Sequence, residues 1–154
     1  MGSDVPALQI NPKNIELEIT ESMLMKDLES RALILEKFNE LGVIIAIDDF
    51  GTGYSCLNYL KKLPIKILKI DKSFVSDIPD DPNDVEIVSA IITMAHKLGL
   101  KVVAEGAETK SQIDTLRKLE CDYIQGYFFG MPSPCQSIQE SIVKQEMNYQ
   151  YIAV

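Results

Sequence analysis

Tryptophan is absent from this 154-residue chain, and histidine occurs once, at position 96. One histidine cannot supply the Cys/His sets from which zinc sites are built. The three cysteines, Cys56, Cys121 and Cys135, show no C-x-x-C spacing. An odd, scattered set reads as reduced thiols in a cytosolic compartment, not as a disulfide framework. No signal peptide is visible, and no apolar run approaches the ~18 residues that would suggest a membrane span. Positive charge is also scarce: 15 Lys and Arg stand against 23 Asp and Glu, for a net charge of -8. Such a chain is a poor general binder of DNA or RNA, because phosphate repels it. A phosphate-binding site on it would need a metal cation.

Hydrophobic content is 46% and charged content 25%, so the chain can bury the core of one globular domain. Met1-Gly2-Ser3 has the look of a cloning remnant. Residues 1–14 are read as that remnant plus a lead-in, and 15–154 as the domain. Ile15–Thr20 reads as a strand. Asp27–Leu41 follows, with Leu28, Ala32, Leu35 and Phe38 at helical spacing and Gly42 closing it. Val43–Ile47 is a β-branched run of the kind covered on both faces in a parallel sheet. A short helix from Ser55 to Lys62 stops before Pro64. Ile65–Ile70 is a strand with Lys69 inside it. The polar stretch Pro79–Asp84 caps a helix running to Leu98, closed by Gly99. Lys101–Ala104 is the fourth strand, Lys110–Leu119 a helix, Tyr123–Gln125 a short fifth strand, and Gln136–Met147 a last helix. Strands and helices alternate five times, which predicts a parallel sheet with helices outside it.

Polar residues stand at the carboxyl end of every strand. The sequence is Glu18-Ile19-Thr20-Glu21 after the first, Asp48-Asp49 after the second and Lys69-Ile70-Asp71 after the third. Glu105-Gly106-Ala107-Glu108 and Gln125-Gly126 follow the last two. In parallel α/β folds the ligand site lies at those ends. Carboxylates gathered there must either take up protons or hold a cation. Hard oxygen ligands suit Mg²⁺, Mn²⁺ or Ca²⁺. Adjacent aspartates on an extended chain point to opposite sides, but at a turning strand end both can face one site, with Gly51 and Gly53 folding the loop tightly. Each feature taken singly has an ordinary explanation as a turn, a cap or an ion pair. Their convergence on one face favours function. A response-regulator-like fold also clusters aspartates around Mg²⁺, but its acidic pair should follow the first strand and its lysine the last.

The segments ELEITES, IAIDDFGTGYSCL, ILKIDKSFV, VVAEGAET and YIQGYFFGMP resemble successive motifs of the EAL domain, the bacterial cyclic di-GMP phosphodiesterases. The resemblance covers about Ile15 to Pro134. It implies a TIM-type barrel and hydrolysis of cyclic di-GMP to linear pGpG with two Mg²⁺ or Mn²⁺ ions. By resemblance, Glu18, Asp48 and Asp49 are metal ligands, with Asp48 shared by both ions. Lys69 resembles the lysine that holds the attacking water. Glu105 resembles a general base or second-metal ligand, and Gln125 a glutamine beside the reacting water. Glu21 and Glu108 resemble supporting glutamates, with Glu21 positioning the loop Phe50, Gly51, Thr52, Gly53, Tyr54 and Ser55, which in the family also contributes to a dimer interface.

The Glu-Ala-Leu signature and the asparagine on the following strand do not occur, although the family places both upstream of Glu18; by the resemblance, at least two ligands of the first metal are absent and the two-metal site is incomplete. Smaller departures are Cys56 for Ser, Ala107 for Val, and Met131 where a polar or basic residue is common. A complete (β/α)₈ barrel takes roughly 250 residues. The expectation is therefore a partial TIM-type barrel of about five parallel strands with outer helices, lacking its N-terminal strands and weak or inactive alone. Its open edges predict association with a second copy or with a complementing N-terminal part. The alternative reading is a non-catalytic module for cyclic di-GMP binding, dimerisation or regulation. A cytoplasmic setting is expected, and a longer parent protein could carry a membrane tether.

Overall fold

The computed structural model describes residues 10–24, 28–53, 60–134 and 137–138. Strand β1 (Glu16–Thr20) leads into one helical turn, α1 (Glu21–Leu24), and then α2 (Leu28–Glu40). Strands β2 (Ile44–Phe50) and β3 (Ile67–Ile70) follow, then a second single turn, α3 (Lys72–Val75), and the long helix α4 (Pro82–Lys97). Strand β4 (Lys101–Ala104), helix α5 (Lys110–Lys118) and strand β5 (Tyr123–Ile124) complete the order. The five strands lie side by side in chain order, all parallel. The expected helices Ser55–Lys62 and Gln136–Met147, with Cys56 and Cys135, fall wholly or mainly outside the described residues. No helix among the described residues is long and apolar enough to cross a membrane.

The helix ends follow from local chemistry. Asp81 accepts a hydrogen bond from the Asn83 N–H at 2.7 Å, and Pro82 occupies the first turn, where a missing N–H costs nothing. Gly42 and Gly99 close α2 and α4 with φ of +93° and +75°, in the left-handed region that glycine tolerates best. Helix α4 buries Val88, Ile91, Ile92 and Ala95, spaced i, i+3, i+4 and i+7 as one apolar stripe requires. Burying each of the three larger side chains stabilises the fold by roughly 1.5–3 kcal/mol.

The sheet register separates the two strand faces. Leu17, Ile45, Leu68 and Val102 share one face, and so do Ile19, Ile47, Ile70 and Ala104. From β2 to β4, all six of those residues are 0% exposed. The opposite face carries Glu16, Glu18, Ile44, Ala46, Ile67, Lys69, Val103 and Tyr123, of which Ala46 and Lys69 are buried. There Ile44, Ile67 and Val103 are half-buried and Tyr123 is exposed. One face is therefore dry, and the other is open.

Helix α2 departs from the expected pattern. Of its predicted stripe, Leu35 is buried, but Phe38 is 39% exposed, and the neighbouring Leu33 and Ile34 are 68% and 53% exposed. The cause is position. Among the described residues β1 pairs only with β2, so α2 covers a sheet edge. An apolar groove of about 200 Å³ lies there between Leu17, Ile19, Met23, Ile34, Leu35 and Phe38.

At the opposite end of the strands, Asp122 ties three elements together. Its carboxylate accepts from His96 Nε2 at 2.7 Å, Lys101 Nζ at 2.6 Å and the Val102 N–H at 3.0 Å. Burial opposes the charge, but the bonds from Lys101 and His96 outweigh it, and the Asp122 pKa is lowered. A lowered acid stabilises above its unfolded pKa and loses that contribution as pH falls through its folded value. Asp122→Asn should cost about 1–2 kcal/mol at pH 7, and urea denaturation at pH 3 should show a smaller gap from the parent chain.

Backbone proximity at β5 gives a second prediction. A Cβ on Gly126 would lie 2.0 Å from the Ala107 carbonyl oxygen and 2.4 Å from its nitrogen, whereas one on Gly99 would meet nothing within 4 Å. Gly99→Ala should cost only the ~1–2 kcal/mol of a left-handed L-residue. Gly126→Ala must move backbone and should cost about 3 kcal/mol or more, as thermal unfolding of both variants would show.

Candidate metal centre

Strand periodicity of two explains why the acids meet. Glu18, Asp48, Lys69, Glu105 and Gln125 all have the parity of the open face, one from each strand: Glu18 from the middle of β1, Asp48 and Lys69 near the carboxyl ends of β2 and β3, and Glu105 and Gln125 just past those of β4 and β5. Asp49 has the wrong parity, and a bulge corrects it. The register pairs Ile47 with Leu68 and Phe50 with Ile70, so β2 spends one extra residue there. Asp49 takes φ of +54° in the bulge. Phe50 is thereby returned to the dry face, where it is 4% exposed. One oxygen each from Asp48, Asp49 and Glu105 then lies within 4.8 Å of the others. Strand β2 thus runs three residues beyond the predicted Ile47, with both aspartates inside it.

Lys69 is the cation of this cluster. Its ammonium lies 2.6 Å from Glu18 Oε1, 2.7 Å from Glu105 Oε1 and 3.4 Å from Asp48 Oδ1, with its side chain 6% exposed. Burial alone would lower its pKa. The hydrogen bonds to Glu105 and Glu18 and the charges of Glu105 and Asp48 reverse that, and the pKa is raised. Glu105 is pushed up by burial against the opposing pull of Lys69. Asp49 is raised by desolvation and then by its neighbours Asp48 and Asp71. Glu16, on the same face, is raised by burial and by Glu18.

The supporting residues divide. Glu21 is buried, and its Oε2 accepts from the Gly51 N–H at 3.4 Å. Thr52 folds back, its hydroxyl donating to the Asp49 carbonyl at 2.9 Å. Tyr54 and Ser55 lie outside the described residues. Gln125 is exposed at the end of β5, its N–H bonded to the Ala104 carbonyl at 2.8 Å. Glu108 is exposed, and its N–H donates to Gln112 Oε1 at 2.8 Å, which places it at the cap of α5 and not among the clustered oxygens.

Gln112 was not singled out by sequence reasoning. It is 5% exposed and joins two elements: Nε2 donates to the carbonyls of Val75 and Ser76 at 3.1 and 3.0 Å, and Oε1 accepts from Glu108 and Thr109. The signal was present as Thr109-x-x-Gln112, a capping box. Asp71 caps α3 through the Ser73 N–H at 2.9 Å, and its pKa is lowered by hydrogen bonding from the Ser73 side chain first and from that N–H after it.

The donor set fits a hard divalent cation. All the clustered atoms are carboxylate oxygens, and Asp48 Oδ1 is buried without a hydrogen bond from the described residues.

Comparison with known proteins agrees with this geometry. The EAL domain family profile matches residues 4–132, and the chain belongs to that family. It is 52% identical over 126 residues to the cyclic di-GMP phosphodiesterase NbdA of Pseudomonas aeruginosa, covering 82% of this chain and 16% of that protein. Among solved structures, the PaMucR phosphodiesterase in complex with cyclic di-GMP superposes with a TM-score of 0.80 at 46% identity, over 84% of this chain and 52% of that one. The manganese and cyclic di-GMP complex of Klebsiella pneumoniae BlrP1 gives 0.75 at 31% identity, over 80% and 31%. The chain therefore spans about half of the EAL structure it matches best among these, and less than a fifth of its curated relative. Its sheet is an arc of the TIM-like barrel of those domains.

Lys69→Met should leave three carboxylates facing one another without their cation. The raised lysine pKa means its contribution is complete below about pH 10 and is lost only as pH rises through the folded value. Loss of the cation should cost about 2 kcal/mol at pH 7, less than the ~3–5 kcal/mol of a dry pair because Glu18 and Asp48 keep some solvent. Urea denaturation should show the gap narrowing in acid, as the freed carboxylates protonate.

Proposed function

We propose that this chain is the C-terminal part of a cyclic di-GMP-specific phosphodiesterase, working in the bacterial cytoplasm. The observation that carries the reading is the convergence of Asp48, Asp49 and Glu105 beside a buried Lys69. Asp48, Asp49 and Glu105 would hold a divalent cation, Mg²⁺ or Mn²⁺, with Glu18 alongside. Bound cations there would acidify water and neutralise phosphate charge, which also lets an acidic protein accept a dianionic nucleotide. Lys69, fixed by Glu18 and Glu105, orients the attacking water. Glu105, paired with Lys69, is either a ligand of the divalent cation or the base that takes the proton from the water. Gln125 flanks that position from the end of β5. Glu21 steadies the loop that carries Asp49.

A specific observation favours a second reading. Among the described residues β1 is an edge strand, next to an apolar groove, and the chain spans about half of the matched EAL structure. In that reading the chain binds cyclic di-GMP, or assembles with a second copy or an N-terminal complement, without cleaving the nucleotide.

Incubation with cyclic di-GMP and Mn²⁺, followed by chromatography for linear pGpG, separates the two. Turnover in the parent chain that falls at least about 100-fold in Glu105→Gln is the expected result for the phosphodiesterase. Binding of cyclic di-GMP by calorimetry with no pGpG formed would give the second reading instead.

A further inference from the structure

The sequence places an aromatic residue three positions after Asp71, in KIDKSF. Asp71 caps the single turn α3, and the Phe74 N–H bonds back to the Asp71 carbonyl at 3.1 Å. That turn carries the Phe74 ring against the backbone of Gly51. A Cβ built on Gly51 would lie 2.7 Å from Phe74 Cε2 and 3.1 Å from Cζ. Gly51 has φ of +101°, so this backbone is both left-handed and in ring contact.

Glu21 grips the same loop independently. Its Oε2 accepts from the Gly51 N–H, and a Cβ on Gly53 would lie 3.3 Å from its carboxyl carbon. Asp49 sits just upstream, strained at φ +54°, with Thr52 bonded to its carbonyl. An aspartate in that conformation persists only where its surroundings over-determine it. The Glu21 bond is long at 3.4 Å and cannot do this alone. The Phe74 ring against Gly51 adds a constraint beyond the Glu21 and Thr52 bonds. It also belongs to the turn that follows β3, the strand that carries Lys69.

We propose that Phe74 is a positioning residue of the metal centre: its ring is the floor on which Gly51 rests, and it sets where the Asp49 carboxylate stands relative to Asp48, Glu105 and Lys69. The inference rests on the metal-site reading of Asp48, Asp49 and Glu105. Gly51 is glycine for two reasons on this account, its φ and the absence of room above the ring.

The test compares the parent chain with Phe74→Ala, with Phe74→Met, which keeps the bulk, and with Leu35→Ala on α2, a core loss outside the site. Hydrogen exchange is read at the Gly51 and Thr52 amides, and Mn²⁺ affinity by the paramagnetic resonance of free Mn²⁺. In Phe74→Ala, exchange at those two amides should quicken, and Mn²⁺ affinity should drop about tenfold, the scale of a lost supporting contact. Phe74→Met should recover most of both, and Leu35→Ala should leave Mn²⁺ affinity unchanged. Unchanged exchange at Gly51 and Thr52 in Phe74→Ala overturns the proposal. So does faster exchange with parental Mn²⁺ affinity, because the ring would then hold the loop without setting the site. If the parent chain binds no Mn²⁺, the metal-site reading fails and the positioning role falls with it; exchange then reports only whether the ring holds the loop.

Discussion

A lysine almost shut off from solvent holds the carboxyl ends of three strands in one place. Lys69 reaches Glu18 on β1, Asp48 on β2 and Glu105 at the end of β4, all within 3.4 Å. Without a cation, those carboxylates would repel one another at the point where the sheet must stay closely packed. With one lysine they are only partly compensated, because three acids face one base. The charge left over is the physical basis for a cation site; burial first, and neighbouring carboxylates after it, raise the pKa values of Glu105 and Asp49. Structure and chemistry therefore share one cause. The lysine lets the strands come together and leaves the cluster short of positive charge.

The dry face makes this arrangement affordable in free energy. Ile45, Ile47, Leu68, Ile70, Val102 and Ala104 are fully buried beneath the helices, so the strands are held in register from behind. The open face can then carry the ionic groups of the site in place of a second apolar layer. The short turns α1 and α3 finish the site by bringing Glu21 and Phe74 against the Gly51–Gly53 loop.

Much of the architecture was legible in the sequence. The alternation of strands and helices, the closers Gly42 and Gly99, the Asp81 cap and the acidic strand ends all rest on local signals, and local chemistry fixes them. What escaped depends on contacts distant in sequence. The bulge at Asp48-Asp49 is defined only by β3, because an extra residue has meaning only against a partner strand. The single turns at Glu21 and Lys72 are too short for any period to show. The stripe on α2 reads like that of a buried helix, but its exposure is decided by β1 being the last strand of the described sheet. The adjacent aspartates posed the right question, but the answer, one residue at φ +54°, needed coordinates.

The alternation of faces has a consequence for how this chain can vary in length. Shifting any strand by one residue would bring an aliphatic side chain to the open face and carry its site residue into the apolar layer; in β3, Leu68 would replace Lys69. Single-residue insertions and deletions within the strands should therefore be purged by the core before the chemistry can test them. Pairs, which preserve parity, remain possible. The bulge in β2 is the exception that keeps both demands: its extra residue adds a carboxylate to the site and still returns Phe50 to the core. The bulge thus presents a second acid to the site just ahead of the loop glycines, without moving the apolar side chains off the dry face.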